Sequence, residues 1–265
     1  EVGYPIMLKA LAGGGGKGMR LVRTEEEVET ALRLSQSEAG TSFGNDAVYI
    51  EKYIENPHHI EVQIMGDKYG NVVHLYEREC SIQRRNQKVI EESPSPFVKE
   101  ETRKKMLKVA VEACKKIGYY SAGTLEFMMD KDQNFYFLEM NTRLQVEHPV
   151  TEECTGVDLV RDMITVAAGN PLPYKQDDIE FSGAAIECRI YAEDPENNFM
   201  PSHGVITVRE APEGRNLRLD SAAYAGFEVS LHYDPMIAKL CCWGRTRASA
   251  ISNMARALRE YKILG

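Results

Sequence analysis

The sequence of 265 residues lacks the features that define several common classes of protein. It contains only six cysteines, and none of them forms a CxxC pair or a Cys/His cluster with the spacing of a zinc site. No part of it approaches the roughly 18 consecutive apolar residues of a membrane helix, and no signal peptide opens it. We therefore expect neither a disulfide scaffold nor a membrane span, but a soluble protein of a reducing compartment.

An excess of positive charge is missing as well. The 40 acidic residues outnumber the 32 lysines and arginines, which gives a formal net charge of −8. Nucleic acids and anionic membranes attract basic surfaces, so neither is expected as the main partner. With 43% hydrophobic and 27% charged residues, the composition is that of a globular protein in one large domain or two small ones. An enzyme that acts on small molecules is the class that remains.

Hydrophobic patterns predict an α+β fold with largely antiparallel strands. The predicted strands cover residues 4–10, 19–22, 47–54, 60–65, 72–76, 124–129 and 135–141. The predicted helices cover residues 25–39, 100–117, 157–168 and 247–261. Thr24 and Glu27 have the spacing of a capping box at the first helix. Because the sequence begins without methionine and ends directly after a helical pattern, we interpret it as a piece of a longer polypeptide.

A glycine loop lies between the first two predicted strands. The pattern Gly13-x-Gly15-x-x-Gly18 matches the dinucleotide fingerprint, but a strand follows it where that motif needs a helix. Walker A is excluded because Gly18 stands where that motif has Ser or Thr. The pattern favours a flexible loop whose amides close over phosphates, with Lys9 and Lys17 as cations. A surface hairpin is the alternative.

Two glutamates are predicted to face each other in a hairpin. A turn centred between Asp132 and Gln133 places Glu126 opposite Glu139, because the numbers of opposed residues then sum to a constant. Opposed carboxylates repel, and a magnesium ion with oxygen ligands removes the repulsion. Asn141 shares their face and offers another oxygen. The alternative is a rim-exposed glutamate paired with a lysine.

A polar stripe continues from this pair if the segment stays extended. Its alternate residues are Glu139, Asn141, Arg143, Gln145 and Glu147. Arg143 offers a planar cation for a small oxyanion, and Glu147 offers a base. These groups suit the attack of a carboxylate-like nucleophile on a γ-phosphate, a reaction that depends mainly on positioning and charge neutralisation.

Longer segments resemble the biotin carboxylases, which are ATP-grasp enzymes. The resemblance covers essentially the whole chain, and its segments are KALAGGGGKGMR (9–20), IEKYIENPHHIEVQI (50–64), RECSIQRRNQKVIEESPSP (78–96), GTLEFMM (123–129), FLEMNTRLQVEHPVTE (137–152), ECRIYAEDP (187–195) and YDPMIAKL (233–240). It implies an α+β ATP-grasp fold with a mobile glycine-loop lid (1–53), a larger antiparallel-sheet lobe (54–175) and an incomplete C-terminal biotin carboxylase subdomain (176–265). ATP would lie between lid and lobe.

The resemblance also implies residue roles. Contacts to ATP would come from Lys9, Gly15, Gly16, Glu51, Lys52, Tyr53, Ile54, His59, Gln83, Asn86, Glu126 and Glu139. Magnesium or manganese would be held by Glu126, Glu139 and Asn141, and bicarbonate by Lys88, Arg143, Gln145 and the backbone of Val146. Glu147 would be the general base, Arg189 would stabilise the biotin enolate, and Lys88 and Arg143 complete the catalytic set. Asn86 departs from the histidine that some members carry near the ribose.

The implied function is the carboxylation of biotin with ATP and bicarbonate, the first half-reaction of an acyl-CoA or pyruvate carboxylase. The implied partners are a biotin carrier domain and a carboxyltransferase subunit or domain, in a homo-oligomer of the cytoplasm or of the mitochondrial matrix. Biotin, ATP and magnesium would be required. Two alternatives are another ATP-grasp ligase and a fragment that keeps the nucleotide-binding scaffold without turnover. The final acceptor stays open between acetyl-CoA, propionyl-CoA, methylcrotonyl-CoA and pyruvate, with a slight preference for propionyl- and methylcrotonyl-CoA.

Overall fold

The computed structural model describes residues 2–12 and 18–265. The chain divides into two compact units, one of Glu1–Pro57 with Arg84–Gln87 and one of His58–Gln83 with Lys88–Gly265. The α+β class with antiparallel strands is confirmed in both units. The predicted subdivision at residues 53 and 175 stays a prediction, and an eight-stranded sheet described below contains strands from both sides of residue 175.

The first unit is a three-stranded antiparallel sheet with one helix. Its elements are β1 (Ile6–Ala10), β2 (Met19–Val22), a 3₁₀ turn (Glu25–Glu27), α1 (Val28–Phe43) and β3 (Val48–Lys52), in the sheet order β2-β1-β3. Alternate residues of β1 are buried, as expected for a strand with one face on a core. The predicted strand after the glycine loop is confirmed, while Gly15 and Gly16 themselves lie outside the described residues.

The first helix begins differently from the prediction. The Thr24 side chain makes no capping bond, and the Glu27 carboxylate accepts from the backbone N–H of Arg23 at 2.8 Å. The predicted capping box is therefore wrong. The helix ends at Phe43 because Gly44 adopts the left-handed conformation with φ 69°, so the predicted end four residues earlier is too short.

The second unit is built on the eight-stranded sheet. Its first part contains β4 (His58–Gly66), β5 (Val72–Arg84), β6 (Gln87–Ser93), α2 (Glu100–Lys116), β7 (Ser121–Met129), β8 (Phe135–Asn141), α3 (His148–Thr155), α4 (Leu159–Ala167) and a 3₁₀ turn (Gln176–Asp178). Its second part contains β9 (Ala184–Tyr191), β10 (Glu193–Asp194), β11 (Met200–Pro201), β12 (Gly204–Val205), β13 (Val208–Glu210), β14 (Leu217–Ser221), β15 (Glu228–Val229), β16 (Met236–Gly244), α5 (Arg247–Glu260) and β17 (Lys262–Leu264). The sheet order is β14-β16-β9-β6-β5-β4-β7-β8, and the six short strands form two-stranded pairs.

Amphipathic helices cover the apolar parts of this sheet. Helix α2 buries Met106 and Ala110 against Ile60 and Phe127, as its predicted apolar face requires. Helix α5 buries Met254 in a second cluster with β9 and β16. All six cysteines are free and buried. Among the described residues, no helix combines the length and the apolar character needed to cross a bilayer.

Several features of this unit were not predicted, among them the strands β10 to β17. Strand β5 runs on to Arg84 instead of ending at Tyr76, and β6 and α3 were absent from the prediction. Helix α3 begins at His148 with a proline in its first turn, where proline fits because its missing N–H has no helical partner. The sequence suggested that the polar stripe from Glu139 to Glu147 is one extended segment. Strand β8 ends at Asn141, so this prediction is wrong.

Gly66 at the end of β4 provides a test of this packing. A β-carbon there would lie 2.7 Å from the backbone oxygen of Tyr119 and 3.3 Å from the Cα of Tyr120. Backbone atoms cannot relieve this clash by a change of rotamer, so Gly66→Ala should lower the free energy of unfolding by about 1–3 kcal/mol. Urea denaturation followed by the fluorescence of Trp243, the single tryptophan, measures this.

Gly40→Ala is the matched control. Its β-carbon would meet only Asp46 Cβ at 3.8 Å, within α1 of the other unit. We expect the Trp243 transition of this variant to keep the wild-type midpoint. Equal midpoints for Gly66→Ala and the wild type would contradict the packing described here.

Candidate active site

A row of charged side chains crosses four strands of the large sheet. In the strand register, Arg78 of β5 is opposite Glu61 of β4, Glu61 is opposite Glu126 of β7, and Glu126 is opposite Glu139 of β8. Directly opposed residues share one face of a sheet, so one cation and three carboxylates lie side by side. Arg78 and Glu61 are completely buried, Glu126 is 5% exposed and Glu139 is exposed.

The predicted pairing of Glu126 with Glu139 is confirmed, although the turn is not where the prediction placed it. Near the turn, Met129 is opposite Phe135 and Phe127 is opposite Phe137, one residue short of the predicted register. The register shifts by one residue between Glu126 and Phe127, and this bulge brings the two glutamates into opposition. The shifted turn and the bulge each displace the register by one residue in opposite directions, so the predicted pair is correct although the predicted turn is not.

Arg78 is the most buried cation of the site. Its guanidinium donates to Glu61 Oε2 (3.0 and 3.2 Å), Gln63 Oε1 (2.5 Å), Thr124 Oγ1 (3.2 Å), Gln145 Oε1 (2.8 Å) and Thr151 Oγ1 (3.1 Å). These partners come from β4, β7, α3 and the segment before α3. A buried guanidinium that uses all its donors is rigid, so it ties these elements into one arrangement.

Lys88 joins three carboxylates from three different elements. Its Nζ contacts Glu61 Oε1, Glu126 Oε1 (3.0 Å) and Glu147 Oε1 (2.7 Å). His59 Nε2 lies 3.0 Å from Glu126 Oε2. Burial alone would raise the pKa of Glu126, but the hydrogen bond from His59 and the charge of Lys88 outweigh it and lower this pKa to about 2. The Glu126 carboxylate is therefore ionised at neutral pH.

Glu147 lies between two cations. One oxygen accepts from Lys88, and Oε2 accepts from Arg189 Nη2 at 3.0 Å. Burial opposes ionisation of this carboxylate, but Lys88, Arg78 and Arg189 prevail and lower its pKa. Arg189 Nε in turn donates to Glu91 Oε1 at 2.6 Å. Two residues predicted for catalysis, Glu147 and Arg189, are thus in direct contact.

The remaining residues of the polar stripe differ in their exposure. Gln145 is buried, and its Nε2 donates to Glu126 Oε1 at 2.8 Å. Arg143 is exposed, and its Nη2 donates to Asn141 Oδ1 at 3.1 Å. The Val146 carbonyl accepts from Lys239 Nζ at 2.7 Å. Although the strand ends at Asn141, the turn before α3 still brings the stripe together around Glu126 and Lys88.

The other residues predicted for nucleotide binding lie in the first unit or at the end of β5. Lys9 forms an ion pair with Glu51, and Lys52 Nζ donates to the backbone oxygens of Gly3 (2.9 Å) and Tyr4 (3.1 Å). Tyr53 and Ile54 follow β3. Gln83 donates to the Cys80 carbonyl at 2.9 Å, and Asn86 lies in the β5–β6 turn with φ 63°. Their roles, like those of Gly15 and Gly16, stay predictions.

The donor chemistry of the site fits a divalent cation. Glu126 and Glu139 provide opposed carboxylates, and oxygen ligands suit magnesium. Asn141 directs Nδ2 to Glu126 Oε1 (2.9 Å), so its amide must turn to offer oxygen. A second group, His59, Glu61 and Glu126, has ligand atoms within 4.8 Å of one another, and its imidazole is less suited to magnesium than the all-oxygen set is.

Sequence reasoning missed several buried polar residues of the site. They are Glu61, Gln63, Arg78, Glu91, Thr124, Thr151 and Glu187, and the half-buried Lys239 was missed as well. A signal for two of them was present, because His59, Glu61 and Gln63 alternate with Ile60, Val62 and Ile64 in an otherwise apolar strand. Buried polar groups need partners, so such a face indicates a charged or hydrogen-bonded interior.

Two family descriptions match the chain. Residues 1–175 match the carbamoyl-phosphate synthase L chain, ATP binding domain, and residues 187–265 match the biotin carboxylase C-terminal domain. The whole chain is 56% identical to biotin carboxylase 1 of Bacillus subtilis, of which it spans 59%. It is 55% identical to the mitochondrial propionyl-CoA carboxylase alpha chain of Mus musculus, of which it spans 37%.

A solved structure agrees with these relatives. The chain is similar, with a TM-score of 0.93, to the biotin carboxylase domain dimer of 2-oxoglutarate carboxylase from Hydrogenobacter thermophilus, a complex with MgADP, ADP and bicarbonate. The two sequences are 52% identical, and the match covers 100% of this chain and 58% of the other. The chain therefore spans little more than half of the structure that it matches.

Replacement of Arg78 tests the buried network. Arg78→Met leaves Glu61 buried and without its guanidinium, which should lower the free energy of unfolding by about 3–5 kcal/mol. Arg78→Lys keeps the charge and loses most of the hydrogen bonds, so its loss should be smaller. Urea denaturation followed by Trp243 fluorescence gives both values.

Arg161→Met is the matched control, because Arg161 is exposed on α4 of the same unit. A surface substitution of this kind should change the free energy of unfolding by no more than about 0.5 kcal/mol. If Arg78→Met were no more destabilising than Arg161→Met, Arg78 would not hold the site together.

Proposed function

Because the chain belongs to the biotin carboxylase family of ATP-grasp proteins, we propose that it carries out the carboxylation of biotin with ATP and bicarbonate. The observation that carries this proposal is the contact of Glu147 with both Lys88 and Arg189. This contact brings together Glu147 as the base, Lys88 as the cation that binds bicarbonate and Arg189 as the cation that faces biotin. Lys88 lies on β6, Arg189 on β9 and Glu147 directly before α3, and all three are largely buried, so they are in place before any substrate binds.

In the proposed reaction, a bicarbonate oxygen forms a bond to the γ-phosphorus of ATP while the bond from this phosphorus to the ADP oxygen breaks. Glu147 accepts the bicarbonate proton. The resulting carboxyphosphate breaks its carbon–oxygen bond to give CO2 and phosphate, which accepts the N1′ proton of biotin. The biotin nitrogen then bonds to CO2, and Arg189 neutralises the enolate oxygen that develops during this step.

The surroundings of Glu147 suit a base that is held ionised until it is needed. Lys88 and Arg189 lower its pKa, which makes it a weak base at rest. When Lys88 shares its hydrogen bonds with bicarbonate, its hold on the Glu147 oxygen weakens and the proton affinity of Glu147 rises. Arg143 at the exposed rim and the Gln145 amide would orient the bicarbonate oxygens.

Glu126, Glu139 and Asn141 would hold magnesium, which when bound neutralises charge on the phosphates. The Glu126 carboxylate is already ionised, and its burial favours a bound cation over solvent. His59, which lies 3.0 Å from Glu126, would supply a further hydrogen bond to ATP, as the family resemblance implies. Glu139 is exposed, so the nucleotide and its metal would reach the site from the side of this residue.

The proposed partners are a biotin carrier domain, which presents biotin to Arg189, and a carboxyltransferase that uses the carboxylated product. We propose that the complete protein is a homo-oligomer of the cytoplasm, or of the mitochondrial matrix in a eukaryote. The final acceptor would be an acyl-CoA or a 2-oxo acid, and it is bound outside this chain.

Glu147→Gln tests the proposed base in the protein at its full natural length. The amide cannot accept the bicarbonate proton, so bicarbonate-dependent ATP cleavage with free biotin should fall by about 10²- to 10⁴-fold. Release of phosphate and formation of carboxybiotin are the measurements. Glu101→Gln, an exposed change on α2, should leave both rates unchanged. A Glu147→Gln enzyme with the wild-type rate would disprove the assignment of the base.

The choice of acceptor separates this proposal from a related ligase. The match to the carbamoyl-phosphate synthase ATP-binding domain makes ammonia the relevant competitor. Free biotin should stimulate bicarbonate-dependent ATP cleavage, and ammonia should not. Stimulation by ammonia alone would favour carbamoyl phosphate synthesis over biotin carboxylation.

A further inference from the structure

A second pair of carboxylates lies beside the catalytic contact. Glu91 of β6 is directly opposite Glu187 of β9, and both side chains are completely buried. Opposed residues share one sheet face, with β-carbons about 4.5–5.5 Å apart. Two ionised carboxylates at that distance in a buried site repel strongly, so the pair is stable only if one of them keeps a proton.

The two members of the pair have different partners. Glu91 Oε1 accepts from Arg189 Nε at 2.6 Å, whereas both oxygens of Glu187 lack a hydrogen-bond partner among the described residues. A buried carboxylate without a partner is costly as an anion, and a neutral carboxylic acid is much less so. The asymmetry indicates that Glu91 carries the negative charge and Glu187 carries the proton.

Arg189 depends on this arrangement for its orientation. Its Nε is held by Glu91, and its Nη2 is held by Glu147 at 3.0 Å. The guanidinium is therefore fixed at two nitrogen atoms by two different carboxylates. If Glu91 became neutral, Glu147 would be the one ionised carboxylate left on Arg189 beside the Tyr191 hydroxyl, and the tighter pairing of Arg189 with Glu147 would withdraw both groups from their proposed tasks.

Other titratable groups interact electrostatically with the pair. They are Cys80 of β5, Lys88 of β6, Glu147 before α3, Arg189 and Tyr191 of β9, Lys239 and Cys241 of β16, and Cys188, which lies on the opposite face of β9. Burial raises the pKa of Glu91 to about 7, although Arg189 opposes this. Burial and the charge of Glu91 raise the pKa of Glu187 well above its usual range.

We infer that Glu91 positions Arg189 for the proposed carboxylation, and that it acts as the ionised member of a buried carboxylate pair whose other member, Glu187, stays neutral. The inference rests on the proposed function. Glu91 does not touch the reacting atoms, so it is a positioning residue that acts through Arg189. Carboxyl transfer to biotin then requires one proton, and only one, on the pair.

The test compares Glu91→Gln with Glu187→Gln in the protein at its full natural length. Glutamine imitates a protonated carboxylic acid, so Glu91→Gln should lower kcat for biotin carboxylation by about 10- to 100-fold. Glu187→Gln should change kcat by less than about twofold at pH 7.5. Glu92→Gln is the matched control, because Glu92 is the next residue of β6 and pairs with Arg247 instead.

The pH profile gives a readout that a purely structural role would not change. Below the pKa of Glu91 the wild type also carries a neutral group there, so the ratio of the wild-type rate to the Glu91→Gln rate should fall to roughly 10–20% of its plateau near pH 6. The ratio should rise through about pH 7 to its plateau above pH 8. A ratio that is independent of pH would overturn the inference, and so would a Glu187→Gln variant as slow as Glu91→Gln.

Two further measurements keep the test decisive. If Glu91→Gln does not fold, Glu91→Asp keeps the charge but shortens the side chain, so it should be slower than the wild type with an unchanged pH inflection. A wild-type rate for Glu91→Asp at every pH would overturn the inference.

If the wild type lacks biotin-stimulated ATP cleavage, the proposed function has failed. If the wild type has it and Glu91→Gln is unaffected, only the role of Glu91 has failed.

Discussion

The site depends on the neutralisation of buried carboxylates by two cations, Arg78 and Lys88. Glu61, Glu126 and Glu147 approach each other in the interior of the large sheet, where uncompensated negative charge is expensive. Arg78 satisfies Glu61 from within the sheet, and Lys88 contacts all three carboxylates. Removing either cation would leave a charge that the protein interior cannot solvate, so the arrangement is held as a unit. That cost in stability is characteristic of a functional site.

The same constraint organises the surroundings of the cluster. Arg189 extends the chain of alternating charges from Glu147 to Glu91, and Glu187 ends it as a neutral group. Along the row of charged side chains, the burial decreases from Arg78, which is fully buried and fully hydrogen-bonded, to Glu139, which is exposed. A nucleotide and its metal would bind at the exposed end, while the buried end keeps the reacting groups oriented.

The residues of the candidate site could be predicted from the sequence where they lie in one short, continuous segment of the chain. The hairpin of β7 and β8 placed Glu126 against Glu139 from a turn signal alone, yet the bulge that produces this pairing could not be read from the sequence. Alternation also selected Gln145 and Glu147, although the strand ends at Asn141 and a turn before α3 carries these two side chains into the cluster. Local patterns therefore identified residues more reliably than they identified conformations.

The sequence by itself determined the α+β class, the helices α1, α2, α4 and α5, the strands β1–β5, β7 and β8, the opposed glutamates and the family resemblance, because these depend on periodicity and on contiguous motifs. Only the tertiary structure decided which buried charges meet. The contacts of Arg78 with Thr151, of Lys88 with Glu147 and of Arg189 with Glu91 join segments that are far apart in the chain. Such contacts follow from strand order and from the register between strands, and no local pattern specifies either one.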